Sequence, residues 1–229
     1  MSQGKTKYAF SFKQCLKADS KYPILNYFRV ERYLTRPLAS LIVRAVLNTR
    51  ITSNQITVFS FFIGVAAGMY LAMGTRQGFV LGGILAWMSS IFDCADGMLA
   101  RLRNSSSAYG AYLDLFLDRI TDLILLGGGS VGYYRWSGDL NFFFLCMGGV
   151  ALYFLQVSLY YLTKTYLKRT GLGEAAEARG LMIFMIFSFM VAGYPRLLIY
   201  IFLSATVLNN VIKVINLVRM GIRDAASRM

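Results

Sequence analysis

Carboxylates are concentrated in one short part of this chain. Five of the eleven acidic residues lie between positions 93 and 122. Asp93 and Asp96 are three residues apart, so they share one face of a helix. The second group repeats every fourth residue and forms a stripe along a helix: Asp114, Asp118 and Asp122. Because ionisable groups are costly in apolar surroundings such as these, the five carboxylates are candidates for a functional site.

The absence of histidine narrows the chemistry that these carboxylates can serve. The 229 residues contain no histidine, and the three cysteines lie far apart at Cys15, Cys94 and Cys146. Histidine-dependent catalytic triads and His-ligated zinc are thereby excluded. Several carboxylates in a small volume need a counter-charge, and ligands that are all oxygen suit Mg²⁺ or Mn²⁺. Two such metals, about 4 Å apart, would be suited to phosphoryl transfer.

Small and basic residues next to the aspartates offer space and charge for a phosphate group. Gly97 directly follows Asp96, and Gly110 precedes Asp114 by four positions. Neither glycine has a side chain, so a ligand could approach the backbone. Arg101 lies about one helical turn beyond Gly97 and can donate a fork of hydrogen bonds to a phosphate. The alternative is an aspartate–arginine network that only holds two helices together.

The elements that carry these residues belong to an apolar and basic chain. Hydrophobic residues make up 56% of the sequence, charged residues 15%, and the net charge is +13. A soluble domain has about 25% charged residues, and a nucleic-acid binder usually carries its charge on polar segments. Intrinsic disorder is excluded by the apolar content. The composition therefore predicts an all-α integral membrane protein, with one domain over residues 1–229 and no nucleic-acid partner.

Six stretches are predicted to cross the membrane as helices, and most have the roughly 20 residues that a bilayer requires. They form a bundle over residues 52–218: Thr52–Met73, Phe79–Arg101, Tyr109–Tyr134, Leu140–Thr163, Leu181–Ala192 and Arg196–Val218. The short loop Leu102–Ala108 makes the second and third spans antiparallel neighbours, so we expect their carboxylates to face each other across a gap. The pairs Gly64/Gly68 and Gly128/Gly132 would allow helices to approach closely.

The basic residues predict how the chain lies in the membrane. Residues 1–50 form a basic N-terminal segment, in which Ile24–Asn48 is predicted to be an amphipathic helix on an anionic membrane surface. The alternative is a basic helix of a soluble cap. With six spans, 3 of the 24 basic residues face the side opposite to the termini: Arg76, Arg135 and Arg196. The positive-inside rule then predicts that both termini and the acidic site face the cytoplasm.

The residues around the aspartates resemble the signature of the CDP-alcohol phosphotransferases. That signature reads D-x₂-D-G-x₂-A-R-x₈-G-x₃-D-x₃-D, and this sequence meets every fixed position. The matching residues are Asp93, Asp96, Gly97, Ala100, Arg101, Gly110, Asp114 and Asp118. The segment Ser53–Thr57 also resembles the P-N-x-[IVL]-T sequence that often opens the family's first span, with serine in place of proline. An interfacial helix followed by six spans is similar to the family's layout.

The resemblance implies an activity and a role for each residue of the signature. The activity is transfer of a substituted phosphoryl group from a CDP-alcohol to an acceptor hydroxyl, with release of CMP. The implied ligands of two Mg²⁺ or Mn²⁺ ions are Asp93, Asp96, Asp114 and Asp118, and Asp118 is the implied general base. The implied nucleotide pocket comprises Gly97, Ala100, Arg101 and Gly110. The family also implies membrane lipids as partners and a homodimer.

Other assignments stay open at the level of sequence. Lys164 and Arg179 could bind an acceptor phosphate or a lipid phosphate, or could be ordinary positive-inside charge. Asp122 lies outside the signature, and is either an outer group of the site or a partner for Arg119. The lipid could be the donor, as CDP-diacylglycerol, or the acceptor for a CDP-linked polar alcohol.

Two other functions would also use intramembrane aspartates. An intramembrane prenyltransferase is one alternative, but its aspartate-rich motifs usually form denser clusters on two separate helix pairs. A non-enzymatic cation transporter is the other. It would not require the Ala100–Arg101 pair and the two glycines at fixed spacing.

Overall fold

The described part of the chain consists of helices joined by short loops. The computed structural model describes the backbone over residues 31–167 and 174–226, and most side chains over 33–161 and 182–218. A short π-helical turn at Glu31–Thr35 precedes the α-helices, which are α1 (Arg36–Val46), α2 (Ser53–Ala72), α3 (Arg76–Leu102), α4 (Ala108–Ser137), α5 (Leu140–Leu167), α6 (Glu174–Ala192) and α7 (Pro195–Ala226). These residues contain no β-strand, so the prediction of an all-α protein is confirmed.

Among the residues that the structure describes, four segments are long and apolar enough to cross a membrane. They are Ser53–Ala72, Arg76–Leu102, Leu140–Leu159 and Pro195–Ile212. The helix α4 is 30 residues long, but its charged residues, glycines and tyrosines make it more polar than these four segments. The helix α6 contains a shorter apolar stretch, Met182–Ala192. Four predicted spans therefore coincide with helices of membrane-spanning type, while the count of six stays a prediction.

The helix α2 packs against both α3 and α4 and thereby holds the two aspartate-bearing helices. Small residues make this close packing possible. A Cβ atom added to Gly68 of α2 would lie 2.8 Å from the carbonyl oxygen of Ile124 in α4. A Cβ atom added to Gly128 of α4 would lie 3.1 Å from the carbonyl carbon of Gly68. The predicted glycine pairs thus lie where the helix backbones approach each other.

Apolar side chains form two main cores between the helices. The core at the level of the aspartates joins α1, α2 and α3, and includes Ala39, Val43, Leu47, Ile56, Ala95, Met98 and Leu99. The larger core joins α2 to α7, and includes Leu71, Phe79, Ala86, Leu125, Tyr153, Ile183, Met190 and Leu198. Close van der Waals packing of these side chains holds the helices together, because leaving lipid for the protein interior brings little hydrophobic gain.

The helix α1 is attached to the end of α3 by Arg103. It buries Ala39, Ser40 and Val43, and it packs against α3. The guanidinium of Arg103 donates hydrogen bonds to backbone oxygens that follow or end α1: Val46 at 2.6 Å, Leu47 at 2.9 Å and Thr49 at 3.1 Å. The last carbonyls of a helix have no partner within it, so the arginine satisfies them. The predicted position of this helix on a membrane surface stays a prediction, and residues 24–30 lie outside the described residues.

The three arginines expected at the opposite end of the bundle bind groups of neighbouring helices. Arg76 donates to the carbonyl oxygen of Val191 at 3.1 Å, and Arg135 donates to that of Ala72 at 2.8 Å. Arg196 forms an ion pair with Asp139 at 3.2 Å. These residues therefore share the end away from Arg103. Which side of the membrane this end faces stays a prediction.

Candidate metal and nucleotide site

Three carboxylates from two helices converge at one point. One oxygen each from Asp93 of α3 and from Asp114 and Asp118 of α4 lies within 4.8 Å of the others, and all three residues are half-buried. The spacing of four residues places Asp114 and Asp118 on one face of α4. Three carboxylates at this separation repel one another unless a cation lies between them. The arrangement is therefore suited to hold a positive ion.

A polar cavity of about 160 Å³ lies beside these carboxylates. Its walls come from the start of α2, the end of α3, the loop between α3 and α4, and the start of α4. The lining residues are Ser53, Asn54, Thr57, Asp96, Gly97, Ala100, Arg101, Ser105, Ser106, Ser107, Gly110, Ala111 and Asp114. Asp114 thus belongs to both the cavity wall and the acidic cluster. All four residues of the predicted nucleotide pocket line this cavity.

Two helices begin at the cavity wall, and both starts are capped. The hydroxyl of Thr52 accepts a hydrogen bond from the backbone of Gln55 at 3.3 Å, and the Gln55 side chain accepts one from the Thr52 backbone at 2.9 Å. At the start of α4, the Ser107 hydroxyl accepts a hydrogen bond from the Gly110 backbone at 3.0 Å. The positive ends of both helix dipoles therefore lie at the cavity, together with Arg101. This combination favours an anionic group such as a phosphate.

Asp96 is placed differently from the other three aspartates of the signature. It is 4% exposed and lines the cavity, but it does not belong to the group of three converging carboxylates. Its Oδ2 atom is buried and accepts no hydrogen bond from any residue that the structure describes. A buried carboxylate oxygen is rarely left without a partner. Its orphaned oxygen is available to a cation or to a ligand in the cavity.

The donor set fits a hard divalent cation. The four aspartates supply carboxylate oxygens only, which are the ligands that Mg²⁺ and Mn²⁺ prefer. Cys94 lies between Asp93 and Asp96 in sequence, but it packs against the apolar core of α1, α2 and α3. Within the described residues the acidic cluster therefore contains no thiol. The residues in place are those that a Mg²⁺ or Mn²⁺ site requires.

Part of the cavity wall was not identified from the sequence as a site. Asn54 and Thr57 of α2 and the serines at 105–107 line the cavity in addition to the predicted residues. The sequence contained a signal for each of these wall segments. Ser53–Thr57 resembles a family segment, and three serines follow one another in the loop. Lys164 and Arg179 lie on α5 and α6, but their side chains are outside the described residues. Their assignment to an acceptor site stays a prediction.

Asp122 lies one turn beyond Asp118 on α4 and is fully buried. Its Oδ2 atom accepts a hydrogen bond from Arg119 Nη1 at 2.8 Å and one from the Tyr153 hydroxyl of α5 at 2.7 Å. Arg119 Nη1 also donates to the Tyr153 hydroxyl at 3.0 Å. Of the two alternatives for Asp122, the structure thus contains the ion pair with Arg119, and Tyr153 completes it.

Comparison with known proteins identifies the family of this chain. A family model for CDP-alcohol phosphatidyltransferase matches residues 50–218, which is most of the chain. The chain therefore belongs to the CDP-alcohol phosphatidyltransferase family, and the family together with the apolar helices makes it an integral membrane protein.

Curated relatives match shorter parts of the chain. A bifunctional IPC transferase and DIPP synthase from Thermococcus kodakarensis is 36% identical over 110 residues, covering 47% of this chain and 24% of that protein. A phosphatidylinositol phosphate synthase from Mycobacteroides abscessus is 35% identical over 95 residues, covering 42% and 40%. An archaetidylinositol phosphate synthase from Pyrococcus horikoshii is 34% identical over 88 residues, covering 38% and 45%. In each case the chain spans less than half of the relative's length.

Proposed function

We propose that this protein transfers a substituted phosphoryl group from a CDP-alcohol to an acceptor hydroxyl and releases CMP. The observation that carries the proposal is the convergence of Asp93, Asp114 and Asp118 beside a polar cavity. A cluster of carboxylates binds a cation, and a cavity with two helix starts and an arginine binds a phosphate. Together they provide the two parts that metal-dependent phosphoryl transfer requires.

The nucleotide would lie in the cavity at the ends of α2, α3 and α4. Arg101 lies at its exposed rim and would donate hydrogen bonds to the pyrophosphate. A Cβ atom added to Gly97 would have Arg101 as its nearest neighbour, at 3.5 Å, so this glycine leaves open space in front of the guanidinium. Gly110 and Ala100 have no side chain larger than a methyl group, so this part of the cavity wall also leaves space for a ligand. These features support binding of the pyrophosphate of a CDP-alcohol.

The aspartates would hold one or two divalent cations, Mg²⁺ or Mn²⁺. When bound, such ions neutralise the pyrophosphate and stabilise the charge that develops during phosphoryl transfer. Asp93, Asp114 and Asp118 would be ligands, with Asp96 contributing its orphaned oxygen from the cavity side.

Asp118 would accept the proton of the acceptor hydroxyl. The hydroxyl oxygen then forms a bond to the phosphorus that carries the alcohol group, and the bond from that phosphorus to the oxygen of CMP breaks. CMP leaves as a phosphate monoester, whose second pKa is about 6, so a general acid is not obligatory. Within the described residues a carboxylate is the natural base, because the chain contains no histidine.

The substrates are proposed from the relatives. Two of the relatives reported above are named as synthases of phosphatidylinositol phosphate and archaetidylinositol phosphate. We therefore favour a lipid donor, such as CDP-diacylglycerol, and a phosphorylated inositol as the acceptor. Lys164 and Arg179 would bind the acceptor phosphate. The proposal includes a homodimer, six membrane spans and a site that faces the cytoplasm.

Release of CMP by the purified full chain in detergent tests this function. The donors would be CDP-diacylglycerol, CDP-choline and CDP-inositol, each offered with inositol phosphate, glycerol phosphate or diacylglycerol, at several concentrations of Mn²⁺ or Mg²⁺. We expect CMP from CDP-diacylglycerol with inositol phosphate, and none after addition of EDTA. Turnover of a polar CDP-alcohol with diacylglycerol alone would contradict the lipid-donor assignment. Absence of CMP with every pair would contradict the proposed activity.

A further inference from the structure

The contact of Arg119, Asp122 and Tyr153 lies deep in the bundle. Asp122 is 0% exposed and Tyr153 is 7% exposed, and the hydrogen bonds among the three residues close a triangle between α4 and α5. A buried ion pair usually adds little stability compared with apolar side chains of the same size. Stability alone is therefore a weak reason for a charged contact at this depth. The position of the contact relative to the acidic site suggests another role.

Helix geometry relates this contact to the aspartate stripe. At about 100° per residue, Asp122 is rotated by roughly 40° from Asp118 around the axis of α4, and Arg119 by roughly 100° in the same direction. Thr121 and Gly128 are rotated by roughly 60–80° in the opposite direction. These two residues face Gly64 and Gly68 of α2. The catalytic aspartates of α4 therefore lie between two anchors, α2 on one flank and α5 on the other.

The position of Asp114 and Asp118 opposite Asp93 depends on these anchors. The main neighbours of α4 are α2 and α5, and α3 packs chiefly against α2, α6 and α1. Direct packing between α3 and α4 thus does little to set the separation of their carboxylates. A carboxylate about 5 Å from the helix axis moves by about 1 Å when the helix rotates by 10°. Metal–ligand distances tolerate only about 0.2 Å.

We propose that Arg119, Asp122 and Tyr153 are positioning residues that fix the rotation of α4, and thereby hold Asp114 and Asp118 at the metal site. This inference rests on the proposed function, because it assumes that the acidic cluster binds a divalent cation. The three residues do not touch the reacting groups. They act through the helix that carries two of the ligands.

Mn²⁺ binding without substrate tests the proposal. The purified full chain in detergent would be titrated with Mn²⁺, and free Mn²⁺ would be measured by electron paramagnetic resonance. Tyr153→Phe removes one hydroxyl and keeps the ring in the core, and Asp122→Asn keeps the shape of the side chain. We expect about tenfold weaker Mn²⁺ binding in both variants, as is typical when groups supporting metal ligands are removed. The variant that combines Tyr153→Phe with Asp122→Asn should bind Mn²⁺ no more weakly than the single variant with the lower Mn²⁺ affinity, because both changes break the same contact.

A matched control separates positioning from general destabilisation. Tyr133 is also a buried tyrosine but lies on α4, near the end away from Asp114, and Tyr133→Phe should bind Mn²⁺ like the wild type. Turnover of Tyr153→Phe should recover at high Mn²⁺ concentration, because the defect is in metal affinity. A lowered melting temperature with unchanged Mn²⁺ affinity in Tyr153→Phe would show a purely structural contact and overturn the proposal.

Two further outcomes would also count against it. Equal weakening in Tyr133→Phe would mean that the effect is not specific to the triangle. If the wild type itself bound no Mn²⁺, the proposed metal site would be contradicted, and the positioning role with it. If Asp122→Asn fails to fold, Tyr153→Phe decides the question alone.

Discussion

At the scale of single residues, Asp118 carries the most specific prediction. Asp118→Asn keeps the size of the side chain but cannot accept a proton from the acceptor hydroxyl. We expect CMP release to fall by about 10²-fold or more, the usual contribution of a general base. Asp139→Asn is the matched control, because Asp139 pairs with Arg196 at the other end of the bundle. A turnover of Asp118→Asn within twofold of wild type would refute its role as the base.

Arg101 allows a second test at the same scale. Lysine keeps the positive charge but loses the planar fork that binds two phosphate oxygens at once. We expect Arg101→Lys to raise the KM for the CDP-alcohol about tenfold, because Arg101 lines the cavity rather than the acidic cluster. Arg44→Lys, at an exposed position on α1, should leave the KM unchanged. An unchanged KM in Arg101→Lys would remove this residue from the nucleotide pocket.

At the scale of elements, the contact between α2 and α4 decides whether the site can form. A methyl group added at Gly68 would lie 2.8 Å from the carbonyl oxygen of Ile124, so the two helices would have to separate. We expect Gly68→Ala to lower the stability by about 1–3 kcal/mol, the usual cost of overpacking. The measurement is the thermal unfolding of the full chain in detergent.

The control for this prediction is a glycine with free space around it. A Cβ atom on Gly148 of α5 would have no neighbour within 4 Å. Because alanine is a better helix former than glycine by up to about 1 kcal/mol, Gly148→Ala should be neutral or slightly stabilising. If Gly68→Ala behaves in the same way, the close approach of α2 and α4 is not required for the fold.

At the scale of the whole molecule, the arginines at the two ends predict an orientation. The end that carries Arg103 and the cavity should face the cytoplasm, and the end with Arg76, Arg135 and Arg196 should face the other side. Gln77 is exposed beside Arg76, and a cysteine there leaves intact the hydrogen bond from Arg76 to Val191.

Thiol labelling measures this orientation. In a background without the native cysteines, Gln77→Cys should react with an impermeant reagent added to intact cells. Arg50→Cys, in the exposed segment between α1 and α2, should react only after the membrane is opened. Labelling of the two positions in the reverse pattern would show that the cavity faces away from the cytoplasm.

The sequence alone determined the helical character, the apolar composition and the stripe of aspartates on α4. These features follow from local rules, because hydrophobic content and the helical repeat can be read residue by residue. The approach of Asp93 to Asp114 and Asp118 was likewise accessible, since a short loop joins α3 and α4, although the same reasoning placed Asp96 in that group as well. The resemblance to a family signature then assigned a chemistry to the same residues.

Only the tertiary structure decided how these helices are held. It separates the buried Asp96 from the three converging carboxylates, and it joins α3 and α4 through α2. It also brings Tyr153 to Asp122 across 31 positions of the chain. No periodicity in the sequence contains these facts, because distances between helices depend on how side chains from distant segments pack together.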